Sequence, residues 1–141
     1  MQPRKKRQTE RGSTLVESVL ILLTFLLVLI GTVDFGQVIY FHQALVERAR
    51  VAARYGAIHP TDTTGIQNMA VYNTSDGSTP KVLPDLTTGM VNVQNPDVNT
   101  SAARVVVTIS AYPIHFMSPY IAQTFNSLPI QTTISSETQM P

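Results

Sequence analysis

The sequence predicts an α+β protein: a long N-terminal hydrophobic helix that continues into a small domain with an antiparallel sheet of about three strands. Two observations support this fold class. Residues 13–58 contain no proline and carry first an apolar run and then an apolar stripe with helical spacing. Residues 59–141 contain three segments in which apolar and polar side chains alternate, as they do in half-buried strands.

The first element is a basic leader, residues 1–12. Five basic residues and one acid give it a net charge of +4, whereas the remaining 129 residues carry five basic and eight acidic side chains. Basic residues just before an apolar segment favour a cytoplasmic N-terminus, which places the C-terminal domain outside the cytoplasm. The residues expected to set this topology are Arg4, Lys5, Lys6, Arg7 and Arg11.

Residues 13–33 form an apolar segment that is a candidate transmembrane and assembly helix. Sixteen uncharged residues separate Glu17 from Asp34, and as a helix they span about 24 Å. A bilayer core of about 30 Å needs about 20 residues, so the segment crosses a membrane only if Glu17 is tolerated inside its apolar zone. Three interpretations are open. The segment is a plain single-pass anchor, a signal peptide, for which residues 31–37 offer a poor cleavage pattern, or an assembly helix processed at the motif on its N-terminal boundary.

Residues 34–58 predict the continuation of the same helix with an amphipathic face. Gly56 and Pro60 supply its stop signals. We expect the part of the apolar stripe nearer the domain to pack on the sheet, and the part nearer the membrane to contact other subunits. The stripe consists of Val38, Phe41, Leu45, Ala49 and Ala52.

Residues 59–141 predict a small extracytoplasmic α+β unit. Short helices are expected over residues 66–72 and 118–125, the second entered through Pro119 at its first turn. Packing three antiparallel strands against the long helix would give the chain a minimal core. The expected strands cover residues 90–94, 103–112 and 130–137.

The composition excludes several classes of function. Without cysteine, the chain has no thiolate metal site, disulfide or thiol nucleophile. His42, His59 and His115 are far apart in sequence and belong to no cluster with metal-ligand spacing. A G-x-S-x-G motif is absent. We therefore expect no catalysis, cofactor, metal, small-molecule substrate or nucleic-acid partner; a membrane-tethered enzyme would need polar residues that converge only in the fold.

The boundary between the leader and the apolar segment carries the motif Gly12-Ser13-Thr14-Leu15-Val16-Glu17. Glycine, four residues and glutamate at this position resemble the processing site of type IV-class prepilins. The resemblance implies that a prepilin peptidase cuts between Gly12 and Ser13 on the cytoplasmic side. Ser13 would then be the first residue of the mature chain and Glu17 the fifth.

The Glu17 carboxylate has a physical requirement of its own. A charge deep in an apolar helix costs about 2.5–3.5 kcal/mol or more unless it finds a partner. Cleavage would provide one, because the new α-amine of Ser13 lies on the same helix face, about 6 Å away. Such a pair, within one subunit or between neighbours, would set axial register. The alternative is that Glu17 reaches toward the interface without a specific partner.

A further pattern follows the apolar segment: Asp34-Phe35-Gly36, then Tyr40 with Gln43-Ala44-Leu45, then residues 49–57. It resembles the N-terminal helix of the TadE-like family, pilin-like proteins of the tight-adherence (Tad) secretion system that builds Flp pili. Weaker similarity continues through residues 67–72, 105–113 and 130–139. The family's pilin-like architecture agrees with the predicted fold class.

The resemblance implies a minor pilin or pseudopilin in the inner membrane, cleaved by a prepilin peptidase and used with other pilins in assembling an adhesive Flp-type pilus. The large C-terminal unit separates the chain from the much shorter major Flp pilins. Ser18 stands where family members often carry an aromatic residue. The alternative is an uncleaved single-pass anchor for a binding or scaffold module.

Overall fold

A computed structural model describes residues 7–95, 103–118 and 124–136, with side chains from residue 12 onward. In these described ranges, two helices and five strands follow one another, with a short 3₁₀ turn, Thr88–Met90, before the first strand. They are α1 (Arg7–Ile58), α2 (Thr63–Tyr72), β1 (Val91–Gln94), β2 (Arg104–Ile109), β3 (Pro113–His115), β4 (Thr124–Asn126) and β5 (Ile130–Ser135).

The long helix α1 is continuous over 52 residues, a length of about 78 Å. It begins at Arg7, several residues before the predicted start near Ser13, because no proline lies between Pro3 and Pro60. The glycine near its start, Gly12, costs a helix only about 1 kcal/mol. It ends at Ile58, where the His59 N–H bonds back to the Tyr55 carbonyl and Pro60 follows. The helix runs without interruption from the leader into the domain.

The second helix is fixed at its start by Asp62. The Asp62 carboxylate accepts hydrogen bonds from the Gly65 N–H (2.9 Å) and the Tyr55 hydroxyl (3.0 Å). Both bonds lower the pKa of Asp62 below its usual value, and the bond from Gly65 has the larger effect. Because Asp62 supplies this cap, α2 begins at Thr63, earlier than the predicted residue 66.

The predicted three-stranded antiparallel sheet is confirmed. Its order is β1-β2-β5, and the register pairs Val107 of β2 with Val93 on one side and Thr132 on the other. Alternate residues of β2 point toward α1 and are fully buried: Val105, Val107 and Ile109.

The sequence analysis missed a second, two-stranded sheet formed by β3 and β4. The predicted helix over residues 118–125 is wrong at Thr124 and Phe125, which belong to β4; its positions 119–123 lie outside the described residues. Pairing of Ile114 with Phe125 across the ribbon outweighs the local helix-start signal of Pro119, since strand pairing depends on a partner that local propensity does not include.

Gly56 lies where α1 packs tightly on both α2 and β2. A Cβ at this position would lie 2.9 Å from Cδ1 of Ile66 and 2.9 Å from Cγ1 of Val105. We expect Gly56→Ala to lower the free energy of unfolding by about 1–3 kcal/mol, because the added methyl overpacks a buried contact. Denaturant unfolding of the detergent-solubilised chain measures the change.

Gly36 provides the matched control in the same helix. No atom lies within 4 Å of a Cβ at Gly36, so Gly36→Ala should leave stability unchanged or raise it by up to about 1 kcal/mol through helix propensity. If both substitutions give the same unfolding midpoint, the close packing at Gly56 is contradicted.

Candidate functional site

The apolar part of α1 is exposed over most of its length. Its large side chains from Leu15 to Leu29 are 44–68% exposed. Within the described residues, one helix, Gly12–Ile58, is long and apolar enough to cross a membrane. A row of this many exposed leucines and valines requires lipid or other protein chains around it.

Three hydroxyl groups in this apolar part already have hydrogen-bond partners. Ser18, Thr24 and Thr32 each donate a hydrogen bond to the carbonyl four residues earlier, at 2.8–2.9 Å. These residues therefore present mainly their carbon atoms outward, and their hydroxyls do not oppose transfer of the helix into an apolar environment.

Glu17 is the acidic group on this surface. Its side chain is exposed, and no hydrogen bond or ion pair joins it to another side chain that the structure describes. One helical turn before it lie Gly12 and Ser13, also exposed, with no atom within 4 Å of a Cβ at Gly12. In the intact chain the Ser13 nitrogen is a helical amide and carries no charge.

The structure describes little of the basic leader. Arg4, Lys5 and Lys6 lie outside the described residues, whereas Arg7 and Arg11 lie in α1 with only their backbone described. The peptide bond between Gly12 and Ser13 is part of the regular helix.

The amphipathic stripe packs on the chain's own domain. Leu45, Ala49 and Ala52 are fully buried in the core. Val38 and Phe41 are half-buried against the same core, and the Phe41 ring lies 5.5 Å from the ring of Tyr112. The part of the stripe nearer the membrane, which was expected to contact other subunits, thus contacts the domain. Other α1 side chains are exposed at this level of the helix, namely Phe35, Ile39 and Tyr40.

Asp34, which closes the apolar segment, has a role that the sequence analysis missed. It is only 3% exposed, and its carboxylate accepts hydrogen bonds from the backbone N–H groups of Met117 (2.8 Å) and Ser118 (3.1 Å). These residues follow β3, so the carboxylate fastens that loop to α1 where the apolar part ends. The available signal was spacing: Asp34 lies four residues before Val38, on the line of the buried stripe.

The three histidines do not converge. His59 stacks on Tyr55 with ring centroids 4.6 Å apart, His115 lies 3.6 Å from the exposed carboxylate of Asp85, and His42 is exposed on α1. Within the described residues, no three potential metal ligands come together.

Comparison with protein-family models gives a match in the N-terminal part of the chain. The family model described as TadE-like protein matches residues 12–54, which confirms the resemblance over the motif Gly12–Glu17 and most of α1. The match does not reach residues 67–139, where the weaker similarity stays a prediction. No curated protein and no solved structure matches the chain.

Proposed function

We propose that the protein is a minor pilin or pseudopilin that supports assembly of a Flp-type, tight-adherence pilus after a prepilin peptidase cleaves it between Gly12 and Ser13. It is held in the inner membrane by α1, with the N-terminus in the cytoplasm and the domain outside, and its role is structural. Its partners are the peptidase and other pilins of the same system.

One arrangement carries this proposal: an exposed apolar helix whose acidic side chain, Glu17, lies one turn after the Gly12–Ser13 bond. The TadE-like match over residues 12–54 supports the same conclusion. Cleavage converts the Ser13 amide into an ammonium group about 6 Å from Glu17. In an assembly intermediate surrounded by lipid and apolar helices, the two charges stabilise each other, and a subunit displaced along the axis loses that pairing.

The C-terminal domain favours a minor role in the filament. The large unit after α1 would place a sheet domain on every subunit if the chain formed the bulk of a pilus, whereas the resemblance implies that bulk Flp pilins are much shorter. A protein with this domain fits initiation or support of the filament, with adhesion and secretion as functions of the whole system.

The first test is the N-terminus of the membrane-extracted protein. We expect cells with an active prepilin peptidase to yield a chain that begins at Ser13 and a Gly12→Leu variant to keep the leader, because leucine would obstruct a peptidase site that accepts glycine. Intact-mass spectrometry distinguishes the two forms. Ser18→Ala serves as the control, because Ser18 does not flank the Gly12–Ser13 peptide bond and the substitution changes no charge. This variant should be cleaved like the wild type.

The competing function is an uncleaved single-pass anchor for a binding or scaffold module. The observation that favours it is the continuity of α1 through Gly12 and Ser13, since proteolysis of a helical bond first requires local unwinding. An intact leader on wild-type protein from peptidase-positive cells would support this function and contradict pilin-type processing.

A further inference from the structure

The two edges of the three-stranded sheet differ in how they are covered. On the β1 edge, the Gln67 side chain donates a hydrogen bond to the outward carbonyl of Val91 at 3.0 Å, and α2 packs against β1. On the β5 edge, no strand among the described residues pairs with the outer side. The β5 edge is therefore the side of the sheet where another strand could be added.

The backbone groups that face outward on β5 follow from the hydrogen-bond pattern. The Ser136 N–H donates to the Ala103 carbonyl at 3.0 Å, and bonded and non-bonded pairs alternate along an antiparallel ladder. Residues 130, 132, 134 and 136 thus bond to β2. Gln131, Thr133 and Ser135 direct their N–H and C=O groups away from it, in the spacing that an incoming strand requires.

Among the residues that the structure describes, the edge carries none of the usual protections against strand addition. Charged residues, prolines and bulges normally block exposed edges, but β5 reads Ile-Gln-Thr-Thr-Ile-Ser and keeps a regular register with β2 over all six residues. An unprotected six-residue edge in an extracytoplasmic domain indicates a surface that is covered in the working complex.

A groove runs along this edge, between β5 and α1. It has a volume of about 440 Å³ and is lined by one face of α1 together with the inward side of β5. Side chains of an added strand on the same face as Thr132 and Ile134 would enter it. Its lining residues are Glu47, Arg50, Val51, Arg54, Thr132 and Ile134.

The groove carries a net positive charge. Arg50 and Arg54 are exposed, and within the described part of the chain neither guanidinium belongs to an ion pair. Glu47 offsets one of the two charges. Val51 and Ile134 add apolar surface to the same lining, so the groove suits a carboxylate and apolar groups on alternate residues of a strand.

A second copy of this chain cannot pair its β5 with this edge in antiparallel fashion within one membrane. A two-fold axis that joins two β5 strands in antiparallel fashion lies perpendicular to the sheet, and it would reverse the α1 helix that packs on the sheet's face. The two apolar segments would then point in opposite directions. The groove itself begins 13 residues beyond Asp34, about 20 Å along α1, where a water-exposed partner can reach it.

We infer that the outer edge of β5 and the Arg50–Arg54 groove together bind an extended segment of a different extracytoplasmic protein, which adds as a strand and places acidic and apolar side chains over α1. The main-chain bonds to Gln131, Thr133 and Ser135 supply affinity, and the two arginines select the acidic segment. This surface is independent of cleavage at Gly12.

The test uses the full chain in detergent micelles and three fluorescent nine-residue peptides. In the first, the acidic peptide, every second residue is threonine and the residues between are valine or glutamate. The second has lysine in place of each glutamate, and the third is the acidic peptide with a proline at its centre. We expect the acidic peptide to bind at least 10-fold more tightly than the other two by fluorescence anisotropy. Its binding should also slow hydrogen exchange of the Gln131, Thr133 and Ser135 amides.

Two variants assign the effect to this surface. Thr133→Pro removes an outward N–H without removing a bond to β2, and Arg50→Glu with Arg54→Glu reverses the groove's charge; each should weaken acidic-peptide binding at least 10-fold. Unchanged exchange of the Val107 amide shows that the sheet is still folded.

Three results would overturn the inference. Equal binding of the acidic and lysine peptides would show that Arg50 and Arg54 do not select an acidic segment. Unaltered hydrogen exchange at the three β5 amides would exclude strand addition. Protection of those amides that rises with protein concentration, without any peptide, would assign the edge to a second copy.

Discussion

Glu17→Gln is expected to reduce incorporation of the mature chain into pilus assemblies by about 100-fold. In the proposed mature chain, the substitution leaves the Ser13 ammonium without its proposed partner in an apolar environment, where an unpaired charge costs about 2.5–3.5 kcal/mol. Each 1.36 kcal/mol corresponds to about a factor of ten. Quantitative immunoblotting of sheared pili and of the membrane fraction, from cells that contain all other components, measures the ratio of assembled to membrane-held protein.

The design separates assembly from processing. The same samples are analysed by intact mass, so that the comparison includes only chains that begin at Ser13. Ser18→Ala removes a neighbouring hydroxyl that is already bonded to the Thr14 carbonyl and should assemble normally. Assembly of the Glu17→Gln chain at the wild-type level would show that the carboxylate has no pairing role.

Asp34→Ala is expected to cost at least about 3 kcal/mol of stability in the domain. The side chain is 3% exposed and accepts two backbone hydrogen bonds, from Met117 and Ser118; hydrogen bonds to a charged group contribute about 1.5–3 kcal/mol each, and buried donors left without an acceptor add a penalty. Asp34→Asn keeps one carbonyl acceptor and should give an intermediate loss. Since the chain has five tyrosines and no tryptophan, near-ultraviolet circular dichroism in detergent follows the unfolding.

Asp85→Ala is the control for this measurement. The Asp85 side chain is 47% exposed and contacts His115 at 3.6 Å, and exposed pairs contribute about 0–1 kcal/mol. Hydrogen exchange of the Met117 and Ser118 amides should accelerate in Asp34→Ala and remain unchanged in Asp85→Ala. Equal losses in the two variants would mean that the Asp34 carboxylate does not hold the loop.

The parts of the fold that were predictable from sequence are those with a local period. The apolar run and the stripe from Val38 to Ala52 define one helix, and the alternation around Val105, Val107 and Ile109 defines the central strand. Helix propensity, stop signals and alternation act over neighbouring residues, so a single sequence contains them.

The missed parts depend on contacts between distant residues. The β3–β4 ribbon exists because Ile114 finds Phe125, and the Asp34 carboxylate is buried because a loop more than 80 residues away supplies two N–H groups. The β5 groove combines α1 with a strand near the other end of the chain. In each case the local sequence around one residue does not identify the distant residue that it contacts. The spacing of the apolar stripe did place Asp34 on the inward face of α1.

Because α1 is continuous between Glu17 and Asp34, the number of residues between them fixes both their axial separation and their relative rotation about the helix axis. Each residue of a helix turns by about 100° and rises by about 1.5 Å. Over the 17 steps from Glu17 to Asp34, the two carboxylates differ in azimuth by about 100°. The domain therefore lies on a different side of the helix from Glu17. The side that carries Glu17 remains accessible to a neighbouring subunit that approaches perpendicular to the helix axis.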